Sequence, residues 1–88
     1  MARAIVRLGD KTTHGGTVVS ASLTHTLRGI GIARKGDMVS CPLPGHGTNP
    51  IVEGCHVFIV DGRGVALHGH KTACGCALIA SVVDATQG

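Results

Sequence analysis

Short apolar runs separated by glycine turns make up most of the chain. The runs are rich in valine, isoleucine and leucine, and none repeats at the helical period over about ten residues. β-branched residues favour strands, whereas the 14 glycines favour tight turns. The pattern therefore predicts an all-β domain of short antiparallel strands without a helix. Single strands are expected at 3–8, 17–23, 24–28, 29–34 and 63–67, and a pair of strands at 51–60.

Two connections carry specific turn signals. Asp61-Gly62 separates two apolar runs and is typical of a two-residue hairpin turn. The stretch from Cys41 to Pro50 contains three prolines, which exclude a helix and predict a stiff, long loop.

The chain also matches itself. Val18–Asp37 lies over Ile51–His70 without a gap at a shift of 33 residues, and His14 lies over Cys74 at a shift of 60. The chain is thus interpreted as two full units and a third that stops after one strand. Repeated units that cannot bury their own apolar face pack against one another, and three can close around a pseudo-threefold axis.

A six-residue pattern occurs once in each unit and ends on a metal-ligand type. It reads GDKTTH at 9–14, GDMVSC at 36–41 and GHKTAC at 69–74. Equivalent loops meet on a threefold axis, so His14, Cys41 and Cys74 are predicted to converge, with His46 from the longer second loop as fourth ligand. Two imidazoles and two thiolates suit a closed structural zinc site. A different ligand set is the alternative, with His70 as the next candidate.

The other histidines and cysteines have simpler interpretations. His70 occupies the place of Asp10 and Asp37, where a side chain that accepts a backbone N–H would close the turn. Cys55 and Cys76 are expected to be small packed side chains.

Length and composition limit the possible functions. Eighty-eight residues make one domain over 1–88, and a single phenylalanine with no tryptophan or tyrosine predicts a thin core that a metal would stabilise. The net charge of +3 is scattered and no aromatic residues accompany it, so nucleic-acid binding is not expected. Four protein ligands would leave no open coordination position on the metal, and no catalytic set of residues is recognised. An enzyme is therefore not expected either.

The chain shows no targeting feature. No apolar stretch of about 18 residues occurs, and the N-terminal residues have no apolar core of signal-peptide length. Synthesis in the reducing cytoplasm is therefore expected, which favours metal binding over disulfides for the four cysteines.

Several motifs together resemble those of PAAR-repeat proteins, and the resemblance covers nearly the whole chain. The motifs are GDKTTHGG at 9–16, ARKGD at 33–37, SCP at 40–42 with HG at 46–47, IVEG at 51–54, DGRGVA at 61–66 and GHKTACGC at 69–76. The resemblance implies a small conical fold of short strands with pseudo-threefold repeats and long turns. It also implies one structural zinc ion held by His14, Cys41, His46 and Cys74. The family combines three histidines with one cysteine, so Cys41 stands where others have histidine, and His70 would substitute if three histidines are required.

The same resemblance implies a role. Such proteins cap the trimeric VgrG spike of the type VI secretion system, one chain per trimer, with the zinc-bound vertex facing the target membrane. The expected function is therefore a non-catalytic tip that sharpens the spike, serves as an adaptor for effector proteins and is exported by the secretion machinery. The alternatives are the tail-spike tip of a contractile phage, or a small interaction module with structural zinc.

Overall fold

The structure is a computed structural model that describes residues 3–43, 45 and 47–81 and the backbone of residues 86–87. This part of the chain contains short strands and no helix, so it has no helix that could cross a membrane. The all-β prediction is confirmed. The strands are β1 Arg3–Ala4, β2 Lys11–Thr12, β3 Thr17–Val18, β4 Thr26–Leu27, β5 Ile30–Gly31, β6 Met38–Cys41, β7 Gly47–Pro50, β8 Ile59–Val60, β9 Arg63–Gly64, β10 Leu78–Ile79 and β11 Thr86–Gln87.

Three equivalent segments, 5–7, 32–34 and 65–67, form a closed ring at the centre. Their middle residues bond in a cycle, because the N–H of Val6 donates to Ala66 O at 3.0 Å, that of Ala33 to Val6 O at 2.9 Å and that of Ala66 to Ala33 O at 2.9 Å. Antiparallel bridges join each segment to the next on all three sides. The predicted pseudo-threefold arrangement is therefore built into the backbone.

Three hairpins form a second closed layer on one side of the ring. The antiparallel sheet runs in the order β10-β2-β3-β6-β7, and the bridges Ile51↔Thr72 and Lys71↔Ala77 close it into a barrel. Since the strands alternate in direction around this barrel, the hairpin tips that follow Thr12, Cys41 and Thr72 all lie at the same end. The fold thereby gathers the three candidate ligand loops.

Three two-stranded sheets, β4-β5, β8-β9 and β1-β11, lie on the other side of the ring and form what we call the base. In β4-β5 and β8-β9 the turns are Arg28-Gly29 and Asp61-Gly62, and all four residues have positive φ. This is the two-residue turn that matches the twist of paired strands, so the hairpin predicted at Asp61-Gly62 is confirmed.

The interpretation of the third unit as a fragment was wrong. β11 begins 60 residues after β4, and it pairs with β1 from the opposite end of the sequence, with Arg3 opposite Gln87 and Ala4 opposite Thr86. The N-terminal strand thus supplies the partner that the third unit lacks. A comparison of the sequence with itself at fixed shifts misses a unit whose two halves lie at opposite ends of the chain.

The loop predicted from Cys41 to Pro50 also needs correction. Its last four residues, Gly47–Pro50, form β7 and pair with β6 along its whole length. Proline is tolerated here because the ladder needs no N–H from Pro50: the N–H of the paired Met38 donates to Ser20 Oγ, and its carbonyl accepts from Val19 N. The predicted strands were also too long, because the chain changes direction every few residues.

The core consists of two small clusters on either side of the ring. Neighbouring positions of a strand point in opposite directions, so Val6 packs into the cluster under the hairpins and Ile5 into the one above the base. The first cluster contains Val6, Val18, Ala33, Val39, Ile51, Ala66, Leu78 and Ala80. The only aromatic residue, Phe58, merely flanks the second cluster, so the predicted thin core is what the structure has.

Candidate metal centre

Three equivalent turns position the candidate ligands. In each turn a glycine N–H donates to a buried residue of the returning strand, from Gly9 to Val18 O, from Gly36 to Ile51 O and from Gly69 to Leu78 O. Each of those buried residues donates its own N–H back across the turn, to the carbonyls of Asp10, Asp37 and His70. The three loops therefore start from the same geometry.

The side chain after each glycine closes its turn. Asp10 Oδ2 accepts the N–H of Arg7 at 2.9 Å, Asp37 Oδ2 accepts that of Arg34 at 2.8 Å, and His70 Nδ1 accepts that of Leu67 at 3.0 Å. Burial, and secondarily the Arg3 guanidinium, lowers the pKa of His70, which favours the neutral imidazole that this bond requires. The prediction that His70 closes a turn is confirmed.

Four residues beyond each closing side chain, the loops bring His14, Cys41 and Cys74 together. Their ligand atoms all lie within 4.8 Å of one another, and Cys41 Sγ is 3.8 Å from His14 Nδ1. Cys41 is buried, whereas His14 and Cys74 are half-buried at the surface. Among the described residues these are the only such group of metal-ligand side chains. His46, the predicted fourth ligand, lies outside the described residues.

The donor set fits a divalent metal ion. Tetrahedral bonds of about 2.0–2.1 Å to nitrogen and 2.3 Å to sulfur place neighbouring donor atoms about 3.5–3.8 Å apart. The distance between His14 and Cys41 lies at the upper end of that range, so an ion could be held without rebuilding the loops. Such an ion would tie the three hairpin tips together.

The surroundings of the Cys41 thiol disfavour its thiolate form as long as no cation is bound. Burial raises the pKa of the Cys41 thiol above its ordinary value, and the neighbouring Cys74 thiol raises it further. A bound divalent cation reverses this balance because it stabilises the thiolate directly. Cys76, with its Sγ 3.6 Å from that of Cys74, is completely buried, as expected for a packed side chain.

Two residues that support the centre escaped the sequence analysis. Asn49 Oδ1 accepts the N–H of Cys74 at 3.1 Å, and the hydroxyl of Thr72 lies 3.3 Å from Cys74 Sγ. Both hold repeat positions, since Asn49 is equivalent to Gly16 and Thr72 to Thr12. A Cβ at Gly16 would overlap the carbonyl oxygen of Ser40, so that position cannot carry a side chain in the first unit. The repeat alignment could have pointed to Thr72, which matches Thr12, but it gave no signal for Asn49, whose equivalent is a glycine.

Exchange of His70 for aspartate should leave the metal centre intact. Aspartate fills the equivalent place in the other two turns, so His70→Asp is expected to retain the metal and to change stability by no more than about 1 kcal/mol. Metal content per chain after dialysis would be measured beside His14→Ala, which removes a ligand and should lose the metal. Loss of metal in His70→Asp would mean that His70 is a ligand after all.

Comparison with known proteins adds one finding. A family model described as PAAR motif matches residues 8–80. No curated protein matches the chain. The matched region starts before the first turn and ends after β10, so it includes all three loops of the candidate centre.

Proposed function

Because the chain belongs to the PAAR-motif family, we propose that it is a non-catalytic tip that caps the trimeric VgrG spike of a type VI secretion system. A single zinc ion at His14, Cys41 and Cys74, with His46 as fourth ligand, would hold the vertex together. One chain would sit on each trimer and leave the cell with the spike through the secretion machinery. Effector proteins would travel with it, and the vertex would meet the target membrane.

The observation that carries this proposal is the hydrogen-bonded cycle of Val6, Ala33 and Ala66. A single chain that repeats its backbone three times around one axis can present similar contacts to all three chains of a threefold partner. The end of a trimeric β-structure exposes three sets of strand edges, which are prone to unwanted pairing unless covered. Capping by one pseudo-threefold chain would cover all of them at once.

The two ends of the molecule suit opposite tasks. The base exposes apolar side chains near its hairpins, with Leu23 98% exposed, Val57 77% and Ile59 51%. Apolar side chains left this open on a small domain are typical of a surface that binds another protein. At the vertex the hairpin tips come too close together for an apolar core, so a metal ion would supply the cohesion there instead.

A double substitution on the base tests the docking. Leu23→Glu with Ile59→Glu places two charges in the proposed interface and should weaken binding to the VgrG trimer by about a hundredfold or more, since buried unpaired charges cost several kcal/mol. Titration calorimetry with purified spike trimer would give both the affinity and the stoichiometry, which should be one chain per trimer. Metal content should stay at the wild-type value.

Leu43→Glu is the matched control. Leu43 is also apolar and partly exposed, but it lies in the loop at the vertex. Its substitution should leave trimer binding unchanged. A stoichiometry of three chains per trimer, or an equal loss of binding in the Leu43 variant, would contradict capping through the base.

A further inference from the structure

Surface grooves flank two of the three turns, and the two grooves differ. We name them by the side chain that closes the turn: the Asp10 groove and the His70 groove. The Asp10 groove has a volume of about 310 Å³, whereas the His70 groove has about 850 Å³. The pseudo-threefold symmetry is therefore broken at this level of the molecule.

The aspartate side chains of the other two turns are already engaged. Ser81 Oγ donates to Asp10 Oδ1 at 2.6 Å in the first. In the second, Ser20 Oγ donates to Asp37 Oδ1 at 3.3 Å, and Arg63 NH2 lies 3.5 Å from the same oxygen. The negative charge and the local donors balance each other there.

The His70 groove has lost this balance. Histidine replaces the aspartate, and Glu53 occupies the place of Ser20, where its Oε1 accepts the N–H of Lys71 at 2.7 Å, just as Ser20 Oγ accepts that of Met38 at 2.8 Å. The groove lining includes three cations, Arg3, Lys35 and Lys71, and only one carboxylate, that of Glu53.

These cations differ from the arginines nearby. Arg34 binds Asp37 and Asp61 at 2.9 and 2.7 Å, whereas no ion pair of Arg3, Lys35 or Lys71 occurs within the described part of the chain. All three are exposed. Val52 and Val57, also exposed, add apolar surface to the same groove. The groove therefore combines an excess of positive charge with apolar walls.

We propose that the His70 groove binds an acidic, extended segment of a partner protein. Three separated cations complement several carboxylates spaced along a chain better than one compact anion, and the valines would pack against apolar side chains between those carboxylates. Because the Asp10 groove is smaller and has two cations to one carboxylate rather than three to one, one chain would recruit one copy of the partner. Val57 belongs both to the groove and to the exposed apolar surface of the base, but the groove contains neither Leu23, Ile59 nor a metal ligand. The peptide is offered to the protein without the spike, so the inference is tested independently of docking.

A labelled peptide tests the binding. The probe is a fluorescein-labelled peptide of alternating glutamate and valine, and its affinity for the metal-loaded protein is measured by fluorescence anisotropy. Lys71→Glu and Lys35→Glu are each expected to weaken binding about fivefold or more, because each reverses a charge at the site. Unchanged thermal midpoints would show that both variants are folded.

Lys11→Glu provides a matched control, since Lys11 holds the position equivalent to Lys71 in the Asp10 groove. It changes the net charge by the same amount and should weaken binding less than twofold. An equal loss in Lys11→Glu would reduce the effect to overall charge and overturn the proposal. So would no measurable binding by the wild type, or equally tight binding of a single-stranded oligonucleotide of the same charge.

Discussion

Replacement of Cys74 with alanine is expected to abolish tight zinc binding and to lower the free energy of unfolding by several kcal/mol. Structural zinc in small domains contributes about 10 kcal/mol or more of apparent binding energy, and the unfolded chain has no preformed site. The effect should be large here because the two apolar clusters of the core are small. Without the proposed ion, the three loops would lose their common anchor.

Thermal unfolding with and without added zinc, together with metal content per chain, measures this effect. Lys11→Ala is the control, because Lys11 lies in β2 with an exposed side chain and should leave the midpoint unchanged. A chelator should lower the thermal midpoint of the wild-type protein. It should hardly change the midpoint of Cys74→Ala, which has already lost the metal. Equal midpoints for the two variants in the presence of zinc would mean that the metal centre is assigned to the wrong residues.

Replacement of Asp37 with alanine is expected to be nearly as destabilising, by about 3 kcal/mol. Asp37 accepts bonds from the backbone N–H of Arg34 and from Nε and NH2 of the same guanidinium, at 2.8, 2.9 and 3.0 Å. The side chains of Arg34 and Asp37 are both buried. Removal of the Asp37 carboxylate therefore leaves a buried guanidinium with Asp61 as its remaining anionic partner. Loss of one member of a buried ion pair typically costs about 3–5 kcal/mol. Because Asp61 remains as a second anion, we expect a value at the lower end, about 3 kcal/mol.

Asp10→Ala is the natural comparison, because Asp10 closes the equivalent turn but binds Ser81 instead of an arginine side chain. Its loss should cost about 1–2 kcal/mol, the value of buried hydrogen bonds without the ion pair. Chemical denaturation of the metal-loaded proteins gives both numbers. If the two substitutions cost the same, the Arg34 contact contributes nothing and the explanation given for Asp37 fails.

Much of the architecture was predictable because the repeats constrain it. Equivalent positions in a closed ring must face the same surroundings, so the self-match at 33 and 60 residues sufficed to bring His14, Cys41 and Cys74 together. The same reasoning correctly gave His70 the duty of Asp10 and Asp37. The turn at Asp61-Gly62 was predictable from local chemistry alone, since few residues adopt positive φ in succession.

The errors arose where long-range pairing overrides local preference. The prolines between Cys41 and Pro50 suggested a loop, but the neighbouring β6 provides a complete set of partners for Gly47–Pro50. The role of Asn49 depends on the third loop, 25 residues further along, and no local pattern announces it. Strand lengths were overestimated because apolar character continues around corners at which the hydrogen-bonded partner changes.

The pairing of β1 with β11 has a consequence for how the molecule comes to be folded. Arg3 can pair with Gln87 only after the end of the chain has been synthesised. The β1-β11 sheet of the base therefore joins residues that are almost the whole sequence apart. Contacts of this separation are slow to form, because the intervening chain must first be brought into order. During synthesis on the ribosome, the backbone N–H and C=O groups of β1 would therefore stay unpaired until the C-terminal residues emerge. The complete fold would form late, in one cooperative step.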